Sequence, residues 1–222
     1  MTLVWSPETA SKAYLDTIQT CGLSSKTSAA EFLSAMAAGY NAQLIVEAWK
    51  KHENGDINIT TSTGLAIAVK HTHGKHVCIV TDEASRVEYV SAMQKLSADV
   101  SLPEVVVGEV EEVMRKKLNR VDFLVVYGSK KNFTRTLSSV KLSQHGSILV
   151  CKRINGTRLS WKGVLDAKVS VMRAVILPVG NGLEIAYIAS NNYDGNLKSR
   201  KNPKCWIRHV DQDSGEEHVF RR

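Results

Sequence analysis

At 222 residues the chain is long enough to bury a full core, and its length fits one decorated domain better than two independent ones. A hydrophobic content of 43% with only 4 prolines and 14 glycines excludes the disordered and collagen-like classes, and no apolar run of about 18 residues is present to suggest a membrane helix. The net charge of +7 points to an anionic partner or to a solvated basic face kept for solubility.

The first segment, MTLVWSPETASKAYLD, has neither a basic nor an apolar leader stretch, so no secretory signal is expected. Cys21, Cys78, Cys151 and Cys205 are widely spaced, which suggests neither a zinc site nor a disulfide framework. A reducing compartment, cytoplasmic or nuclear, fits this usage, and the sequons at Asn58, Asn132 and Asn155 then carry no meaning. Ser6-Pro7 predicts a helix start, with Ala10, Ala13, Tyr14 and Ile18 at helical spacing. Ser28-x-x-Glu31 is a capping box opening a second helix through Phe32, Leu33 and Met36, closed by Gly39. Leu44, Ile45, Ala48 and Trp49 read as a third helix, so residues 1–55 are expected to form a helical extension.

After Asn54-Gly55-Asp56 the pattern alternates. Strands are expected at Ile57–Thr60, Val77–Val80, Val105–Val107, Val121–Val126 and Ile148–Val150, separated by helical stripes. One stripe runs Val87, Val90, Met93, Leu96; the next runs Val110, Val113, Met114, Leu118; the last holds Phe133, Leu137 and Val140. Right-handed crossovers make such a series a doubly wound, mostly parallel α/β sheet covered on both faces. Val171–Leu177 and Leu183–Ile188 flank Asn181-Gly182, a hairpin signal, so the Rossmann-like core from 56 to 190 should close with an antiparallel hairpin. Residues 191–222 read as a basic extension packed through Trp206 and Ile207.

Ligands of open α/β sheets bind beyond the carboxyl ends of the strands, where strand order reverses. The residues expected there are the turn Thr60-Thr61-Ser62-Thr63-Gly64, then Asp82, then Gly108-Glu109. A nucleoside needs close backbone approach at the first, a ribose-binding carboxylate at the second and a contact to the base at the third. Asp82 is equally suited to cap the helix that follows it. Basic residues crowd the second half: between Arg115 and Arg173 the only acids are Asp122 and Asp166. His71, His73 and His76 form H-x-H-x-x-H, better read as a surface turn than as a metal site.

The order of these pieces, with VVVGEVEEVM, VDFLVVYGSKKNF, GSILVCKR and VILPVGNGLEIAYI, resembles S-adenosylmethionine (SAM) dependent O-methyltransferases of the catechol and caffeoyl-coenzyme-A type over residues 56–190. LVWSPETASKAY, SAMAAGYNAQLIVEAW and HVDQDSGEEHVFRR resemble a plant family of uncharacterised methyltransferase-like proteins over nearly the whole chain. The resemblance implies SAM as cofactor, with Thr60, Thr61, Ser62, Gly64, Asp82, Gly108 and Glu109 as its binding residues. Where that family has an acid and a glycine in its first strand, the alignment puts Asn58 and Thr60. Where its metal-dependent members hold a divalent cation, this chain has Tyr127 and four cations, Lys130, Lys131, Lys152 and Arg153, that suit phosphate or carboxylate instead. No catalytic metal is expected. The function expected is a metal-independent methyltransferase for a small anionic acceptor. A catalytically inactive binding or regulatory protein on the same scaffold is the alternative, and nucleic-acid binding through the basic half a third reading.

Overall fold

A computed structural model describes residues 4–22, 28–51, 57–96, 100–128, 130–152, 171–179, 182–189, 206–210 and 217–221. Two compact units are present, Met1–Asn192 and Tyr193–Arg222. The larger opens with α1 (Pro7–Cys21), capped by the Ser6 hydroxyl accepting from the Thr9 amide at 3.3 Å, and α2 (Ser28–Gly39). There follow β1 (Leu44–Ala48), α3 (Thr60–Thr72), β2 (Lys75–Val80), α4 (Glu83–Leu96), β3 (Glu104–Val107), α5 (Val110–Lys117), β4 (Phe123–Tyr127), α6 (Lys130–Ser139) and β5 (Ser147–Lys152). The hairpin of β6 (Val171–Leu177) and β7 (Leu183–Ile188) completes the sheet. In the smaller unit β8 (Trp206–Val210) and β9 (Glu217–Arg221) pair antiparallel; the side chains of Trp206 and Ile207, expected to pack the tail, lie outside the described residues.

The seven strands run in the order β3-β2-β1-β4-β5-β7-β6, parallel through β5, with β7 antiparallel to both neighbours. The doubly wound sheet and its closing hairpin are as the alternation implies. Two expectations fail. Leu44–Ala48 is not a helix but the central strand, paired with β2 on one side and β4 on the other. Thr60 to Gly64 is not a turn after a strand at 57–60; these residues form the first turn of α3. The α4 stripe is also displaced: Tyr89 and Met93 point inward, whereas Val87 is 59% exposed.

Strand β4 begins at Phe123, two residues after the start of its expected span, and Asp122 stands just before it. Its carboxylate accepts from the Gln43 and Leu44 amides at 3.0 and 2.9 Å, tying the entry of β1 to that of β4. One face of the sheet, through Val46, Leu124 and Val126, packs Val113 and Met114 of α5 and Phe133 and Leu137 of α6. The other, through Ile45, Phe123, Val125 and Val150, packs α2 and α3. Trp49, Cys78, Val80, Tyr89 and Met93 extend that second layer over β2. Burial on both faces is what hides β1 in the sequence, because a strand covered twice has no polar alternation.

Candidate functional site at the strand-order reversal

Strand order reverses between β1 and β4, so the crevice for a ligand lies beyond Ala48 and Tyr127. On the β1-β2-β3 side, Asp82 follows β2 and Gly108 follows β3. The Gly108 amide donates to the Val80 carbonyl at 2.9 Å, which draws these two strand ends together. Gly108 has φ +148°, a conformation that residues with a β-carbon rarely adopt, so a glycine is required there. Asp82 is exposed and caps α4: Oδ1 accepts from the Ser85 amide at 2.7 Å and Oδ2 from the Thr81 hydroxyl at 2.8 Å. These bonds, the Ser85 amide foremost, hold its carboxyl below the usual range, so it stays ionised. Glu109 is the residue before α5, and its side chain makes no capping bond.

At the mouth of β1 the chain runs on into Trp49. Its amide donates to the Ile79 carbonyl, its indole N–H donates to the Asn58 carbonyl at 3.1 Å, and its ring meets Tyr89 edge-on with centroids 5.4 Å apart. Asn58 Oδ1 then accepts from the amide and hydroxyl of Thr60, at 3.1 and 2.8 Å, and so starts α3. Asn58 and Thr60 therefore do not occupy the first strand. The acid within that strand is Glu47, and the residue two places on is Trp49. Thr61, Ser62 and Gly64 are buried in α3; a β-carbon on Gly64 would stand 2.7 Å from the Ala30 carbonyl oxygen, so its bareness lets α3 cross α2.

Glu47 is fully buried beneath α3. Its Oε1 accepts from the Tyr127 hydroxyl at 2.8 Å, and His76 Nε2 lies 3.5 Å from its Oε2. Tyr127 and Lys152 are register partners on β4 and β5, and the Lys152 ammonium sits 4.8 Å from the centre of the Tyr127 ring while donating to Thr61 Oγ1 at 2.6 Å. Burial pushes Lys152 down to about 8, with the Glu47 carboxylate opposing the shift. Burial, and then the same carboxylate, raise the Tyr127 phenol well above its ordinary value. One face of the sheet thus carries a polar chain from the rim at Lys152, past Thr61 and Tyr127, to Glu47 inside.

The remaining expected residues are dispersed. Lys131 is exposed on α6, the Lys130 side chain is not described, and Arg153 lies outside the described residues. The three histidines separate: His71 bonds Asp16 of α1 at 2.8 Å, His73 ends α3 in a left-handed conformation, and His76 faces Glu47. Sequence reasoning missed Glu47 and Trp49. The signal was an acid inside the apolar run LIVEAW, where only a paired carboxylate is tolerated. A cavity of about 600 Å³ opens at the opposite end of the strands, between Lys70 and His73 of α3 and the starts of β2 and β3, away from this crevice.

A family model described as "Protein of unknown function (DUF1442)" matches residues 1–222. The chain belongs to that family. No curated protein matches this DUF1442 chain by sequence. Among solved structures it is similar to the S-adenosylhomocysteine (SAH) bound methyltransferase PaMTH1 of Podospora anserina, with 13% identity, a TM-score of 0.52, and 82% and 88% of the two chains covered. Cofactor-bound Rv0187 from MTB aligns with 14% identity, a TM-score of 0.51, and 82% and 89% coverage. A methyltransferase from Geobacter sulfurreducens gives 16%, 0.50, and 82% and 89%. At these identities the likeness is one of fold: this chain has the Rossmann-like fold seen in those methyltransferases. No helix among its described residues is long and apolar enough to cross a membrane.

Proposed function

We propose that this protein is a metal-independent SAM-dependent methyltransferase acting on a small anionic acceptor. The observation that carries the reading is that Asp82 and Gly108 follow the adjacent ends of β2 and β3, joined by the Gly108–Val80 bond, on the β1 side of the reversal of strand order. The ionised Asp82 carboxylate has lone pairs left to accept from a ribose diol while it caps α4, and Gly108, which carries no side chain, with Glu109 after it, is the position assigned to the adenine. Thr60, at the start of α3, borders the methionine end, with Thr61, Ser62 and Gly64 shaping that first turn. When bound, SAM supplies a sulfonium methyl group as the electrophile. The protein's part is to hold the acceptor in line with it, and the basic residues that the sequence carries at or just past the ends of β4 and β5, Lys130, Lys131, Lys152 and Arg153, suit a carboxylate or phosphate of that acceptor.

A divalent cation does not fit this donor set. Tyr127 uses its hydroxyl proton on Glu47, and Lys152 presents an ammonium group where a metal would need an anionic oxygen. Thermal unfolding with and without SAM and SAH tests the reading. A ligand that binds only the folded chain raises stability by about 2.7 kcal/mol at a hundred times its Kd. Asp82→Asn should abolish the rise without lowering the midpoint of the free protein, because Asn caps a helix as well as Asp. No rise at millimolar ligand would overturn the proposal. A rise with no methyl transfer would favour a binding or regulatory protein instead, a reading supported by Trp49 at the mouth of β1.

A further inference from the structure

We infer that the cavity of about 600 Å³ at the starts of β2 and β3 is a second binding site, for a small organic anion whose acidic group meets Lys70 at the mouth and whose inner end bears a hydrogen-bonding group for His76. It lies at the opposite end of the strands from the crevice, so it does not depend on the methyltransferase reading. Its volume is that of a small-molecule site.

His76 marks the inner end. On β2 it stands opposite Ile45, and strand alternation puts its side chain, with that of Cys78, on the face that α3 covers through Ala66. That side chain is 2% exposed, yet neither ring nitrogen makes a hydrogen bond among the described residues. Nε2 stands 3.5 Å from Glu47 Oε2, and the two nitrogens of an imidazole diverge, so Nδ1 is the one left for a ligand. A buried polar group without a partner costs stability, and a molecule bound in the cavity would complete it. A hydroxyl both donates and accepts, and so meets either tautomer of the ring.

The mouth carries the charge. Lys70, His73 and Lys75 are exposed there. Lys75 is spent on an ion pair with Glu104, whereas Lys70 has no carboxylate partner among the described residues. Its ammonium therefore suits a carboxylate or phosphate from outside the chain. Ala66, Val69, Leu102 and Pro103 offer apolar surface to the body of such a ligand.

The test is isothermal titration of the full-length protein with three probes of similar size. These are para-hydroxyphenylacetate, its amide, which lacks the charge, and phenylacetate, which lacks the hydroxyl. The first should bind at millimolar concentration or below, and each of the others about 10-fold or more weakly, the loss expected for one hydrogen bond to a charged group. Lys70→Glu, at an exposed position that leaves the fold intact, should weaken the acid by about 10-fold or more and spare the amide. His76→Phe keeps a ring but no nitrogen, and should bind para-hydroxyphenylacetate and phenylacetate alike, a loss of discrimination that altered packing alone would not produce. No binding of any probe at millimolar concentration overturns the site, as does binding untouched by Lys70→Glu. An amide that binds as tightly as the acid overturns the anion, and phenylacetate binding as tightly as its hydroxylated form overturns the role of His76. Should His76→Phe fail to fold, the comparison of probes on the wild type and Lys70→Glu still decides.

Discussion

Gly64 separates two physical effects of opposite sign. In a helix with open space, Gly→Ala stabilises by about 0.5–1 kcal/mol because the unfolded chain loses freedom. Here the added carbon would stand 2.7 Å from the Ala30 carbonyl oxygen, a backbone atom that cannot swing aside. Gly64→Ala should therefore destabilise by about 1–3 kcal/mol in urea unfolding, the usual cost of overpacking. A gain in stability would show that α2 and α3 can part. Tyr127 invites a similar comparison. Tyr127→Phe leaves the ring beneath Lys152 but deprives the buried Glu47 carboxylate of the donor at 2.8 Å. A loss of about 1–3 kcal/mol is expected, the cost of an unsatisfied buried acceptor. It should shrink in the background of Glu47→Gln, where no charge is stranded, and strict additivity of the two would deny the contact.

Among the elements, β1 and the loop it feeds were the least legible in the sequence. The hairpin strands β6 and β7 coincide with their expected spans because Asn181-Gly182 marks the turn between them, and β2 to β5 fall within a few residues of theirs. Leu44–Ala48 carried no such mark. A five-residue strand buried on both faces has the apolar content of a helix segment, and Glu47 looks like an outward helical residue until its partner on β4, eighty positions away, is known. Asp82, Gly108 and the basic character near Lys152 could be read locally, since strand ends are local features. The Lys152–Thr61 bond could not, because it joins residues ninety-one apart. Trp49 now defines how the loop after β1 is held, and two substitutions should divide its contributions. Trp49→Phe keeps an aromatic ring against Tyr89 but loses the bond to the Asn58 carbonyl, for about 1 kcal/mol. Trp49→Ala empties the site and should cost about 3–5 kcal/mol. Equal losses would mean that the hydrogen bond, not the ring, anchors the loop.

At the scale of the whole molecule, the buried amine makes stability depend on pH in a predictable direction. An unfolded lysine titrates near about 10.4. In the folded chain Lys152 titrates at about 8. Below the lower value both states hold the proton, and the folded state bears the full cost of a desolvated ammonium. Between the two values the unfolded chain still binds a proton that the folded chain has released, so stability rises with pH across that window. Tyr127 acts in the opposite sense above about 10, since its raised value makes the folded chain retain a proton that unfolded tyrosine gives up. The comparison is therefore confined to pH 7–10 and made against Lys152→Met, which packs a similar stem without the charge. Urea unfolding should find the wild type gaining on the variant as pH rises from 8 to 10. A difference that stays constant over that interval would mean that Lys152 keeps its proton at the rim, and that the sheet face below it tolerates a full positive charge.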